Sequence, residues 1–576
     1  MKFIHVYNPQ YFEGLEKNGL LNADSGFKIQ HVFSLTEDMK FNQLAAKGSR
    51  LHSLIKEGNF PFYVDRLTGG VTYHKYDFDK ALIREYRDLL GPWFLGIQLH
   101  ESASNRWHDW NLVRSAMDGS NGPYDAALLR QRTISKYART PSGELLPNYI
   151  QDPPEIYADR RYPETLKDYC CDVEDMFRRR MAETDGCILP CDSYYLLPHM
   201  QQSLGMRSFM PEVGCQIPYM RIAVALARGM AGIDGKLWGT YYETWRHTDQ
   251  EGYSMPCYNT DPGNEWHLSQ EQHPDDFTSF GPNGGSSRLL QKRIYYHSLM
   301  SGAHYMAEEW GLNCSYTDMR TFELSEYGLV KKKFIDDTQI LRGIKAKIPF
   351  AVVLPVEYTC VQIPGSKEPF VPGCWRERYM GVSLTDAEKQ TVGQAEDVLK
   401  HLFRRDPEKI YGNEGHVLTN SAFGDLFDII YEDAPEATLR KYDYLIDATP
   451  EDRFGAKQGH SLPILAGGDR EALTRQIDAL SAKLLPCTAD NLHWLLSEDE
   501  KGQRYVTVFN NEGNRRSIHN GDNLIPEADA STVLTFHGPA KPEIFRAGGE
   551  GVTLQRLDEH RWRLHIPAAG FAILRY

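Results

Sequence analysis

An α/β fold with a closed parallel barrel is what this 576-residue chain predicts, on three observations. Eight short apolar runs of β-type residues recur through residues 1–345, and each is followed by residues with helical spacing. The connections leading back into each strand are short, as a parallel sheet requires, and closure at eight strands gives a (β/α)8 TIM barrel. Beyond it the texture changes twice, to an open α/β (flavodoxin- or amidotransferase-like) pattern over 346–490 and to short alternating segments over 491–576, expected to form a small antiparallel β-sandwich.

The first strand is expected over Phe3–Pro9 and the second over Lys28–Leu35, followed by a helical stretch Thr36–Lys56 with Thr36 near its N-cap. Phe60–Arg66 makes the third. In the helix after it, Leu82, Ile83, Tyr86, Leu89 and Leu90 share one face. Phe94–Glu101 (FLGIQLHE) is the fourth strand, Gly186–Asp192 the fifth and Ser208–Gly214 the sixth. The seventh is Lys236–Glu243 (KLWGTYYE) and the eighth Ala303–Trp310. Two long segments, Ser102–Arg161 and Arg246–Gly285, read as irregular loops after the fourth and seventh strands, where barrel enzymes build their sites. The second region offers strands at Phe350–Val356, Asp428–Glu432, Tyr444–Ala448 and Leu462–Ala466, with a helix over Glu396–Arg405. The third offers Tyr505–Asn510, Ser531–Thr535, Gly551–Gln555, Trp562–Ile566 and Phe571–Tyr576.

A net charge of −14 disfavours nucleic-acid and anionic-membrane surfaces, and no run approaches the roughly 20 apolar residues of a membrane span. The opening MKFIHVYNPQ runs directly into a strand without a signal-peptide pattern. Ten cysteines scattered from Cys170 to Cys487 read as reduced thiols, so the cytoplasm is the expected location. Cys187 and Cys191 could form half of a metal pair, but no second close pair follows with zinc-finger spacing. The second region carries no GxGxxG or P-loop, so a nucleotide is not expected there.

The chemistry concentrates at strand ends. Glu101 closes the fourth strand and Glu243 the seventh, and each runs into a polar, aromatic-rich segment. Two carboxylates meeting above a barrel can split a glycosidic bond, one protonating the leaving oxygen and the other attacking the sugar or activating water. Strands four and seven are expected to face each other across the pocket. Glu309, beside Glu308 in MAEEW, competes with Glu243 for the second role. Expected substrate contacts are Asn8, His31, Arg66, His100, Asn105, Trp107, Asp192, Tyr195, Tyr241, Trp245, Glu309 and Trp310, with Asp65, His199 and Glu212 as further polar candidates at strand ends. Trp245 and Trp310 would stack on sugar rings.

With its acid/base glutamate after strand four and its nucleophile after strand seven, the chain resembles the clan A glycoside hydrolases. Its order of parts resembles the trimeric β-galactosidases of family forty-two and similarly built β-mannosidases. That likeness implies acid/base catalysis by Glu101, nucleophilic attack by Glu243 and assembly as a homo-oligomer, a trimer, through the middle region. Where the clan has asparagine before its acid/base glutamate, this chain has His100. The expectation is a retaining exo-β-glycosidase acting on small carbohydrate substrates, with no metal or organic cofactor, no nucleic acid and no membrane partner. Two rival readings are a carbohydrate-binding barrel without catalysis and a metal-dependent hydrolase using His5, His31 and His100.

Overall fold

In the computed structural model the described residues are 1–30, 40–67, 77–136, 152, 154–192, 197–214, 220–243, 266–267, 285–309, 315–318, 320–359, 385–403, 418–421, 423–458, 461–517 and 521–576. The barrel strands are β1 (Lys2–Val6), β2 (Ser25–Gln30), β3 (Phe62–Asp65), β4 (Phe94–His100), β5 (Ile188–Cys191), β6 (Ser208–Phe209), β7 (Leu237–Glu243) and β8 (Tyr305–Glu309). All pair in parallel, in the order β5-β4-β3-β2-β1-β8-β7-β6. The ring is nearly closed: between β5 and β6 the backbone is joined by Arg207 N–H donating to the Ile188 carbonyl at 3.4 Å. The sixth strand is short because Pro211 interrupts it, and Glu212–Val213 resumes the pairing with β7. This order corrects one expectation. Strand β7 stands three places round from β4, and β8 is the strand diametrically across.

Period-two alternation fills the barrel with Ile4, Tyr63, Leu95, Leu189, Cys191, Met210, Tyr241, Tyr305 and Ala307. The opposite faces, among them Phe27, Ile29, Phe62, Val64, Ile97 and Met306, pack in the large outer core. One residue changes the phase. Gly96 has φ +116°, and the β3–β4 register shifts beside it between Phe62 and Tyr63. A Cβ there would lie 2.9 Å from the Cys187 carbonyl oxygen, so only glycine fits. Strict alternation from the inward Leu95 would point Leu99 and Glu101 into the barrel. After the bulge Leu99 packs outside and His100 faces the interior.

Helices with Asp79 and Ser287 as N-caps and a Thr165–Asp168 capping box lie among the outer helices of the ring. The stretch Ser102–Arg161, expected as loop, contains helices Ser102–Ala116 and Ala126–Lys136. Its polar residues are buried rather than solvated: Arg106 donates to Asp172 at 2.5 Å and 2.8 Å and to Asp152 at 2.8 Å, while Tyr157 donates to Asp109 at 2.6 Å. The expected Thr36 cap lies outside the described residues, and Thr36–Lys56 is represented by Phe41–Leu44 and Arg50–Gly58.

A second parallel sheet, β9 (Phe350–Leu354), β10 (Phe427–Tyr431), β11 (Tyr444–Asp447) and β12 (Ile464–Ala466), has the order β10-β9-β11-β12. The helix Met220–Asp234 is buried on nearly every side, as its all-round apolar sequence requires, and lies between barrel and sheet. The C-terminal strands form a five-stranded and a four-stranded antiparallel sheet, beside the hairpin pair Asn514–Ser517 and Gly521–Leu524. The five-stranded one takes Lys345–Ala346 as an edge against His493–Glu498, and the four-stranded one begins at Cys487–Ala489.

Candidate active site

The inward positions near the C-terminal ends of the strands carry charge where the lower layers carry hydrocarbon. Lys28 (β2), Asp65 (β3), Gln98 and His100 (β4), Cys191 (β5), Glu212, Tyr241 (β7) and Glu309 (β8) are all buried. The strand ends β3 and β4 both turn through left-handed residues that are not glycine, Arg66 (φ 57°) and Glu101 (φ 48°). Such backbone costs of the order of 1 kcal/mol or more and persists where the surroundings enforce it. Here the Arg66 N–H donates to the Gln98 carbonyl at 3.2 Å and the Glu101 N–H to the Cys191 carbonyl at 2.7 Å. Both turns aim a charged side chain at the mouth.

At the centre stands His100, 3% exposed. Its Nε2 is 3.6 Å from Glu309 Oε1, 3.8 Å from Glu212 Oε1 and 4.0 Å from Glu101 Oε2. Any two of those oxygens therefore lie within about 8 Å of each other, a span that includes the ~5–5.5 Å of retaining and much of the ~6.5–9.5 Å of inverting glycosidases. Arg66 donates to Glu309 and, at 3.2 Å, to Asp65. Lys28 donates to the same Asp65 oxygen at 3.2 Å, and its ammonium lies 4.8 Å from the centre of the Tyr241 ring. Tyr241 also donates to Asp65, at 3.3 Å. Burial, then Arg66 and Lys28, hold the His100 imidazole well below its ordinary pKa, so it is neutral at neutral pH. Burial also lowers Lys28, against the pull of Asp65.

Asp192, just past β5, accepts from the Ala103 N–H at 3.3 Å and from Gln201 at 3.0 Å, anchoring the first turn of the helix that Glu101 opens. Burial, with repulsion from Glu101, lifts its carboxyl to about 7 despite those bonds.

Several expected contacts are elsewhere. Asn8 uses its carbonyl oxygen to accept the Gln10 N–H at 2.9 Å, a local turn. His199 pairs with Asp433 at 2.9 Å and stacks on Tyr431, away from the mouth. Glu308 faces outward and accepts from Tyr327 at 2.6 Å, with Lys331 Nζ at 2.5 Å. His5 also faces the outer layer, in a cavity with Glu308 and Lys331, so the histidine set His5, His31 and His100 is not assembled: β1 turns His5 to the opposite face from His100. Glu243 pairs in register with Glu309 through the backbone. Its side chain and those of Asn105 and Trp107 lie outside the described part of the structure, as do His31, Tyr195, Trp245 and Trp310 altogether. Lys28 and Gln98 are site residues that the sequence reading does not pick out, and Cys191 enters it only beside Cys187 as a possible metal ligand. Alternation from Tyr63 or Tyr241 would find the first, and only the bulge at Gly96 reveals Gln98.

No family model and no curated protein matches the chain. Among solved structures it is similar to the catalytic module of a family 98 glycoside hydrolase from Streptococcus pneumoniae TIGR4, at 9% identity and TM-score 0.42, covering 100% of this chain and 98% of that one. It is also similar to α-L-fucosidase isoenzyme 2 from Paenibacillus thiaminolyticus, at 10% identity and TM-score 0.39, covering 95% and 99%. Both of those proteins are glycosidases by description. Likenesses at such scores assign no activity to this chain. No described helix is long and apolar enough to cross a membrane.

Proposed function

We propose that this protein is a glycoside hydrolase whose general acid/base is Glu101 and whose nucleophile is Glu243, a retaining exo-β-glycosidase for small carbohydrates. The observation that carries the reading is the strained turn at Glu101. A left-handed, non-glycine strand end aims a partly exposed carboxylate at a buried nest of polar groups, within about 8 Å of two further carboxylates. Glu309 is 1% exposed and tied to Arg66, so it suits holding sugar hydroxyls rather than attack. Glu243 ends the neighbouring strand at the same level.

In the first half-reaction Glu243 attacks the anomeric carbon while Glu101 protonates the departing oxygen. In the second, Glu101 takes a proton from water, which displaces Glu243. The paired Arg66–Glu309 offers hydrogen bonds to ring hydroxyls. Cytoplasmic location and trimeric assembly belong to the same proposal; the first rests on the scattered cysteines and the second on the sequence likeness.

A panel of chromogenic glycosides, with proton NMR of the first-formed anomer, tests it. Hydrolysis with retention, abolished in Glu243→Ala and restored by azide with an inverted glycosyl azide as product, is expected. No turnover of any glycoside contradicts the reading. Azide rescue in Glu309→Ala instead moves the nucleophile to β8.

A further inference from the structure

We infer that the barrel mouth holds a transition-metal site, zinc by its donor set, formed by His100, Cys191 and Glu212. The inference goes beyond the glycosidase reading and does not depend on it. One imidazole nitrogen, one thiol sulfur and one carboxylate oxygen lie within 4.8 Å of one another, all on buried side chains. Nitrogen and sulfur donors select zinc, cobalt or a similar ion over magnesium or calcium, and three protein ligands leave a fourth position open.

The spacing is that of ligands sharing an ion rather than of hydrogen-bonded partners. His100 Nε2 and Glu212 Oε1 are 3.8 Å apart, too far for a hydrogen bond. Two ligands at about 2.0–2.3 Å from a tetrahedral ion stand roughly 3.3–3.8 Å from each other. The ligands also sit on rigid elements. His100 and Cys191 are register partners on adjacent strands, and Glu212 lies on the resumed sixth strand.

The other buried cluster of suitable residues, His297, Asp425 and His493, shows the contrast. There both imidazoles donate from Nε2 to one Asp425 oxygen, at 2.8 and 2.6 Å, while Arg221 takes the other oxygen at 2.7 Å. Arg293 can only donate, so the Asn511 oxygen faces it at 2.9 Å and the Asn511 amide faces His493 Nδ1 at 3.0 Å. His493 Nδ1 must then accept, which leaves its proton on Nε2 for Asp425. There the donors already stand at hydrogen-bond distance from Asp425, whereas His100 and Glu212 stand 3.8 Å apart.

The test is binding, not turnover. The full chain is stripped with a chelator, dialysed and titrated with cobalt. One equivalent is expected, with a thiolate-to-cobalt charge-transfer band in the near ultraviolet and release of the Cys191 thiol proton. Cys191→Ser is expected to lose the band, and Glu212→Gln to weaken cobalt binding at least ~10-fold. X-ray absorption of the zinc-loaded wild-type chain, which needs no variant, is expected to find one sulfur and the rest nitrogen or oxygen around zinc. Failure to retain one equivalent of zinc or cobalt, a band that survives in Cys191→Ser, or a shell with no sulfur or several overturns the site. Each result stands whether or not any glycoside is cleaved.

Discussion

Glu101 and Asp192 share the entrance of one helix, and their charges are coupled. Asp192, lifted to about 7, gains its negative charge near neutrality and repels that of Glu101. A neighbouring anion keeps an acid protonated to higher pH, which suits a proton donor. Asp192→Asn removes that repulsion, so the basic limb of kcat/KM moves to lower pH, by up to about one unit. A pH profile of the variant beside the wild type checks it. An unmoved limb separates the two groups. Glu101 itself is legible in the sequence as an acidic residue closing an apolar run. The faces its neighbours take are not, because the glycine bulge earlier in the same strand exchanges those of Leu99 and His100, and nothing in an alternating pattern announces such a bulge.

Among whole elements, the helix Met220–Asp234 is the closest-packed join between barrel and second sheet. A Cβ on Gly229 would lie 2.3 Å from the Ile429 carbonyl oxygen, and Arg228 reaches Asp428 at 2.6 Å just beside it. Gly229→Ala must push helix and strand apart and is expected to cost about 1–3 kcal/mol, read as a lower urea midpoint. Unchanged stability would mean the helix is free to shift. The insertion after β4 depends on buried ion pairs instead. Asp172 receives Arg106 twice and the Trp110 indole at 2.7 Å, and its carboxyl is held low by Arg106 against the cost of burial. Asp172→Asn takes one of two carboxylates from the buried Arg106, leaving it Asp152, and is expected to cost about 1.5–3 kcal/mol. Far-ultraviolet melts check this, with loss below ~1 kcal/mol contradicting it. This insertion reads as loop in the sequence because burying Arg106 and Asp109 on one helix erases the apolar stripe by which a helix is recognised. The repeating barrel units, whose stripes are ordinary, stand close to their expected places.

Across the molecule, buried histidines set the response to acid. Burial holds His5 and His493 at about 3, whereas in the unfolded chain each titrates near about 6.5. Between those values the unfolded chain binds more protons, so stability is complete above pH ~6.5 and falls as the pH drops toward ~3, by up to about 1.4 kcal/mol per pH unit for each histidine. Asp425, held well below its usual range by Arg221 and its histidine partners against burial, adds a loss in the same direction at lower pH, beneath its unfolded value of ~3.9. Urea unfolding at several pH values between ~5 and ~7 is expected to give this slope, and His493→Gln to reduce it by about 1.4 kcal/mol per pH unit. An unchanged slope contradicts the assignment. The joint around Asp425 draws on residues from four stretches of sequence, those of Arg221, His297, Asp425 itself and His493. Such a meeting has no local signature, whereas the succession of barrel, open sheet and antiparallel sheets can be read from composition and periodicity.

The proposed role of Glu101 as proton donor to a departing sugar oxygen is tested most directly by leaving-group dependence. Wild-type protein and Glu101→Gln are compared on aryl β-glycosides carrying either a poor phenol leaving group or an activated dinitrophenol. The account predicts that kcat/KM for the poor leaving group falls about 10²–10⁴-fold in the variant while that for the activated one, which needs no proton, changes little. Equal losses on both substrates, or none on either, would contradict it.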